Sequence, residues 1–217
     1  MTVASDPRVT DRVHQELRDQ IFAGDLPAGA RLSVPALAAS LGVSRSPVRE
    51  AIVRLVHERL AREEPRRGAV VADVSLKSLI AIYEVREVLE GLATRLAVEN
   101  AGRRLIRSLE DILGEHERAV AAVDLTAASE ADMTFHRLIR EAADNPEVVR
   151  MLDEVQTQVR LAMRTTQVTR GPKLAVADHR AIFTAMAAGD PAAAEQAARA
   201  HIAGLRSTLA EQAGEAR

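Results

Sequence analysis

The chain contains no cysteine and no tryptophan, and its 217 residues include only one tyrosine and three phenylalanines. Without cysteine there is neither a disulfide framework nor a thiolate metal site. Aromatics make up 2% of a sequence that is 47% apolar. The core must therefore be filled by Ala, Leu, Val and Ile, which suits helices packed closely together. No apolar run approaches the roughly 20 residues of a membrane span. The opening MTVASDPRVTDR lacks the apolar stretch of a secretory signal. These features lead us to expect a soluble, cytoplasmic protein with no membrane partner. Catalytic fingerprints are also missing. There is no G-x-S-x-G, no H-E-x-x-H and no dinucleotide-binding glycine pattern, and GDLPAG is not a phosphate loop.

The formal charge of -2 hides a local bias. Between Ser44 and Gly68 seven arginines (45, 49, 54, 59, 62, 66 and 67) face four glutamates (50, 58, 63 and 64), a local net of +3. A basic patch on an acidic chain is either a solvated helix face or the footprint of a nucleic-acid-binding module. The surrounding pattern favours the second reading. Thr10 or Asp11 can cap a first helix carrying Val13, Leu17 and Ile21, and Gly24 stops it. Ser33 can cap a second helix with Pro35 in its first turn. After the tight turn Gly42-Val43-Ser44, a third helix buries Val48, Ile52, Leu55 and Val56. Two short helices joined by such a turn form a helix-turn-helix, whose second helix reads the major groove with its N-terminal residues. Here those residues are Ser44, Arg45, Ser46 and Arg49. Gly68 and the alternation in AVVADV predict a β-hairpin wing over residues 61–73, with Arg66 and Arg67 at its tip and Gly68 beside them.

The runs LRDQIFAGDLPAGARLS, LAASLGVSRSPVREAIVRL and RRGAVVA resemble the N-terminal winged helix of GntR-family transcriptional regulators over residues 8–73. The resemblance implies binding of double-stranded operator DNA by a homodimer, usually as a repressor. Two positions depart from the family pattern: Arg59 stands where Gly is usual, and Val34 where Glu is usual.

From Ser75 onward the periodicity is helical almost throughout, and turn signals divide it into six helices forming an antiparallel bundle. The first has Leu79, Ile82, Val85, Leu89, Leu92 and Leu96 at helical spacing. The third is expected over about 129–143, followed by a helix capped by Asp144 or Asn145 with Pro146 at its first position. TQVTRGP reads as a loop, and the last helix is capped by Asp190. The architecture predicted is mainly α: a winged helix-turn-helix at 8–73 and a helical domain at 76–212.

The short run DMTFH places Asp132 and His136 four residues apart, on one helical face. Such a pair is either a surface ion pair or half of a metal site. His179 and His201 lie on the last two helices, 22 residues apart, which lets both reach one level of an antiparallel pair. A single interior histidine is commonly a hydrogen-bonded core residue. One carboxylate and three imidazoles from three helices form a ligand set for Zn²⁺, Ni²⁺, Mn²⁺ or Fe²⁺.

The segments YEVREVLEGLATRLA, DMTFHRLIREAADNPEV, DHRAIF and AAGDPAAAEQAARAHI resemble the FCD ligand-binding domain of the FadR subfamily, over about residues 76–212. The six-helix count is similar to the VanR-like branch. In metal-binding members the ligands are an Asp, a His four residues on and two later histidines, which fall here on Asp132, His136, His179 and His201. The resemblance also implies a small organic acid effector contacted by an arginine on the first bundle helix. Arg86 holds that place, although it can equally pair with Glu90 one turn on. Arg160 and Arg164 are secondary candidates. In the expected mechanism the acid shifts bundle helices near the linker at 73–76 and resets the spacing of two winged helices. The competing reading is a metal-dependent hydrolase-like bundle fused to a DNA-binding head. It lacks an additional carboxylate placed as a general base.

Overall fold

The computed structural model describes residues 7–100, 102–166 and 171–215. The chain divides into two compact units, one of Met1–Ser75 with Gln156–Thr166, the other of Leu76–Val155 with Gln167–Arg217. Among the described residues no helix is long and apolar enough to cross a membrane.

In the first unit, α1 (Pro7–Ala23), α2 (Val34–Leu41) and α3 (Arg45–His57) precede the hairpin β1 (Ala61–Glu64) and β2 (Gly68–Val71). α1 buries Val13, Leu17 and Ile21, as their spacing requires, and Gly24 at φ 95° ends it. The helix starts earlier than its cap signals suggest, at Pro7. Thr10 lies inside it, fully buried, and donates to the Glu50 carboxylate at 3.2 Å. Gly42 adopts the left-handed conformation that closes α2. Ser33 and Ser44 occupy the N-cap positions of α2 and α3, yet neither side chain makes a capping hydrogen bond. In α3 Val48, Ala51, Ile52 and Leu55 are buried, and Val56 is half-buried. The strands are antiparallel, with Ala61 opposite Val71 and Glu64 opposite Gly68. Backbone bonds from Gly29 N to Val71 O and from Leu32 N to Ala69 O pin β2 against the segment before α2.

The division of the chain departs from a simple cut at the linker. The second half of α7 (Pro146–Thr166) belongs to the first unit. There Gln158 donates to the Glu58 carbonyl at 3.0 Å, and the Arg160 guanidinium lies 4.2 Å from the centre of the Phe22 ring. Arg160, a secondary effector candidate, therefore lies against Phe22 in the first unit. The side chain of Arg164, and most of the TQVTRGP loop, lie outside the described residues.

The second unit contains α4 (Leu76–Asn100), α5 (Arg103–Ala121), α6 (Leu125–Ala142), the first half of α7, α8 (Pro172–Ala187) and α9 (Pro191–Glu215). The predicted caps of α7 and α9 hold: Asn145 Oδ1 accepts from Glu147 N and Val148 N, and Asp190 Oδ1 from Ala192 N and Ala193 N. α6 begins four residues before its expected start, capped by Asp124, whose side chain accepts from Ala127 N at 3.0 Å. Its first turn is largely exposed, so apolar periodicity does not mark it. α4 differs most from expectation. Val85 is 52% exposed and Ile82, Leu89, Leu92 and Leu96 are only half-buried. The buried face is Leu79, Tyr83, Arg86, Glu90, Gly91, Ala93, Thr94 and Ala97, in which charged and small residues replace the leucines. Ala97 shares a core with Ala194 and Ala198 of α9. A methyl group on Gly91 would stand 2.6 Å from Arg199 Cγ, so α4 and α9 approach closely at this level.

The departure at Arg59 has a structural meaning. Its φ is 57°, the left-handed conformation that a glycine supplies without strain after a helix. An arginine at this backbone conformation is strained where a glycine would not be. Val123, a β-branched residue 77% exposed, is in the same conformation at φ 59° between α5 and α6. Arg59→Gly and Val123→Gly are each expected to stabilise the protein by about 1 kcal/mol. Urea midpoints should rise for both, and unchanged or lowered midpoints would contradict the strain.

Candidate metal and anion site

The helices of the second unit bring buried imidazoles together. α6 supplies His136, α8 His179 and α9 His201, each at most 4% exposed. Their donor atoms lie within 4.8 Å of one another, and the ring centroids of His179 and His201 are 5.0 Å apart. Asp132, one turn before His136 on α6, places Oδ1 3.5 Å from His179 Nε2 and remains partly exposed. Phe135 fixes the other side of His179, stacked at 4.4 Å with an 11° interplanar angle.

The orientation of each ring follows from its outer contacts. His201 Nδ1 is 3.0 Å from Asp178 Oδ2, so a neutral His201 donates there and leaves the Nε2 lone pair free. His136 Nδ1 lies 3.7 Å from Glu90 Oε2, and its Nε2 is buried with no hydrogen-bond partner. Both ring nitrogens of His179 are likewise unpartnered. Burial, reinforced by His136, His201, His116 and Arg86, pushes the His179 pKa far below the usual histidine value. For His201 burial also lowers the pKa, against the opposing hydrogen bond that its ring donates to Asp178. Neutral imidazoles with unsatisfied lone pairs are what a divalent ion requires. Two donors about 2.0–2.1 Å from one ion in tetrahedral geometry stand about 3.4 Å apart, so closing this cluster draws the rings together by about an ångström. The three imidazoles fit an ion after that closure, whereas Asp132 stands outside their mutually close set and reaches it through His179.

Beside the imidazoles lies a buried ionic cluster. Arg86 and Glu90 of α4 and Arg140 of α6 are 5%, 2% and 7% exposed. Arg86 Nε is 3.4 Å from Glu90 Oε1, and Arg140 Nη2 is 3.7 Å from the same oxygen. The i, i+4 pair between Arg86 and Glu90 therefore exists, and it is buried. Arg86 is also near enough to Asp132, His179 and His201 for their charges to act on one another. Burial alone raises the Glu90 pKa, but His136, Arg140 and Arg86 hold it well below the usual carboxylate range. One buried carboxylate thus faces two buried guanidiniums, while Asp153 stands 3.8 Å from Arg140 Nη1 and the Asp132 charge acts on Arg86.

Three participants carry no signal of their own in the sequence. Glu90 reads only as a partner of Arg86, Asp178 is adjacent to His179, and Arg140 lies one turn beyond His136. A fourth histidine, His116 of α5, stands 5.3 Å from His179 between ring centroids. Its position after Leu109 and Leu113 on the buried stripe of α5 was the available signal.

The basic residues of the first unit are arranged differently. Ser44, Arg45 and Arg49 are exposed and Ser46 is half-buried at the start of α3, while Arg66, Arg67 and Gly68 are exposed at the hairpin turn. Arg54 pairs with Asp11, and Arg67 with Glu64 at 2.7 Å.

Stability should fall in acid. His116, His179 and His201 all have folded pKa values below their ordinary one. Their contribution is complete above about pH 6.5 and is lost as pH drops, because only the unfolded chain then takes up protons. Each histidine contributes up to about 1.4 kcal/mol per pH unit. Chelator-treated protein should lose at least about 1 kcal/mol between pH 7.5 and 5.5 in urea unfolding, and a flat profile would contradict the neutral cluster.

The chain matches the bacterial regulatory proteins of the gntR family over residues 9–71 and the FCD domain over residues 81–204. It is 32% identical to the "Probable D-xylose utilization operon transcriptional repressor" of Paenarthrobacter nicotinovorans, across 97% of this chain and 95% of that protein. It is 37% identical to the gluconate operon transcriptional repressor of Bacillus subtilis, across 62% of this chain and 55% of that one. The solved structure of Escherichia coli McbR/YncC aligns with a TM-score of 0.72 at 26% identity, covering 97% of this chain and 99% of that one. These relatives are regulators, and none supports the hydrolase reading. With its winged helix followed by an FCD domain, this chain belongs to the GntR family of bacterial transcriptional regulators.

Proposed function

We propose that the chain is a repressor whose affinity for operator DNA is set by a small organic acid bound beside a divalent metal in the FCD domain. The observation that carries this is the cluster of three buried imidazoles, two of them within reach of the Arg86 charge. Asp132, His136, His179 and His201 would hold Zn²⁺, Ni²⁺, Mn²⁺ or Fe²⁺, all compatible with nitrogen and oxygen donors. When bound, the ion supplies open coordination positions for an acid's oxygens. Arg86, through its planar fork, would hold the remaining carboxylate oxygen. The two buried guanidiniums of Arg86 and Arg140 beside the imidazoles support an anionic ligand. The relatives named for D-xylose and gluconate operons put sugar-derived acids first among candidates.

Ser44, Arg45, Ser46 and Arg49 would contact base edges and phosphates, with Arg66, Arg67 and Gly68 of the wing beside them. Homodimerisation would pair two such heads on a palindrome. Val85 and Val88, 52% and 49% exposed one turn apart on α4, support self-association. The six helices α4–α9 support the VanR-like branch of the FadR subfamily. Coupling needs only that the acid binds one arrangement of the dimer better than another, so that operator affinity shifts reciprocally.

Fluorescence anisotropy on the DNA upstream of the coding sequence tests both halves. Arg45→Ala should lose about 1–3 kcal/mol, concentrated at one base position. His136→Ala should bind the operator normally but lose its metal, measured by elemental analysis, and its response to a panel of sugar and hydroxy acids. If that variant responded as wild type does, the ion would have no sensing role.

A further inference from the structure

The proposed ion accounts for three of the buried histidines of the second unit and leaves His116 unexplained. His116 is 2% exposed, and its Nδ1 is buried without a hydrogen-bond partner. It stands outside the trio whose donor atoms lie within 4.8 Å of one another. Yet its ring is a direct neighbour of His179, and the charges of Asp132 and His136 act on it. The placement is held firmly. Leu109, Leu113 and His116 share the buried face of α5, and Glu117, the next residue, pairs with Arg180, the residue after His179. A leucine at position 116 would complete the apolar stripe of Leu109 and Leu113. An imidazole there carries the desolvation cost of an unpaired polar atom unless something else in the site satisfies it.

We propose that His116 is an effector-reading residue, whose Nδ1 hydrogen-bonds an oxygen of the small acid seated on the ion and takes no part in holding the ion itself. This rests on the metal-and-acid reading above and adds to it the group that discriminates among acids. An imidazole flanking the ion, outside its ligand set, suits an oxygen projecting from the bound acid. An acid lacking that oxygen would leave the nitrogen buried and unpaired, which is a strong basis for rejection. The cost of the unpaired nitrogen in the ligand-free protein is then a sacrifice of stability for recognition.

The test uses the full chain, stripped with a chelator and loaded with Co²⁺, whose visible absorption reports both ion uptake and the arrival of an anion. Glycolate, whose hydroxyl oxygen projects beyond its carboxylate, is the probe anion, and acetate, which lacks that oxygen, is the control. In His116→Leu, Co²⁺ and acetate affinities should stay within about threefold of wild type while glycolate affinity falls about tenfold, the value of one hydrogen bond. His116→Asn places an amide nitrogen near the Nδ1 position and should recover most of the glycolate affinity. Without metal, His116→Leu should melt at the same temperature as wild type or higher. Unchanged glycolate affinity in His116→Leu would overturn the assignment. So would a parallel fall in Co²⁺ affinity, which would make His116 a metal ligand, or a lower melting temperature with no recovery by Asn, which would make it a packing residue. If wild type takes up no Co²⁺, the metal reading itself fails and this inference with it, an outcome visible without any variant.

Discussion

Burying several imidazoles in their neutral form, with lone pairs turned toward one another, is the constraint around which the second unit is organised. Protonated side chains at these distances would repel, and dry surroundings disfavour the charge further. Phe135 against His179 and the apolar core beside it keep water out. Asp178 fixes His201 from outside, and Glu90 stands behind His136. The buried nitrogens left without hydrogen-bond partners on His136 and His179 carry a desolvation cost in the protein alone.

Glu90 ties the histidines to their neighbours. A single carboxylate, 2% exposed, faces His136, Arg86 and Arg140 at once. Removing it would strip Arg86 of its buried ion-pair partner and leave Arg140 with the exposed Asp153, 3.8 Å away, a loss that typically costs several kcal/mol. The carboxylate thereby holds two guanidiniums inside the bundle, next to the imidazoles.

The small residues of α4 and α9 make this geometry possible. Gly91, Ala97, Ala194 and Ala198 let the two helices approach, and the shortage of aromatics in the chain reflects that packing. The same helices explain where apolar periodicity misled. On α4 the leucine row is half-buried, while the fully buried face carries Arg86, Glu90 and Thr94. A pattern search scores that face as polar because it cannot know that the charges satisfy one another. His116 escaped notice for a related reason, since a single histidine on an apolar stripe says nothing until a second helix brings His179 beside it.

Local chemistry was written in the chain itself. Gly24 and Gly42 end helices because only they take positive φ without strain, Asn145 and Asp190 cap because their side chains reach backbone amides, and the heptad-like rows of Val13, Leu17 and Ile21 bury because their spacing puts them on one face. The i, i+4 spacing of Asp132 and His136 belongs to the same class. Whether those two met His179 and His201, whether Arg86 turned inward, and which partner each ring nitrogen found depended on how the helices packed. Those contacts join residues dozens of positions apart, and helix geometry within a segment places no constraint on them.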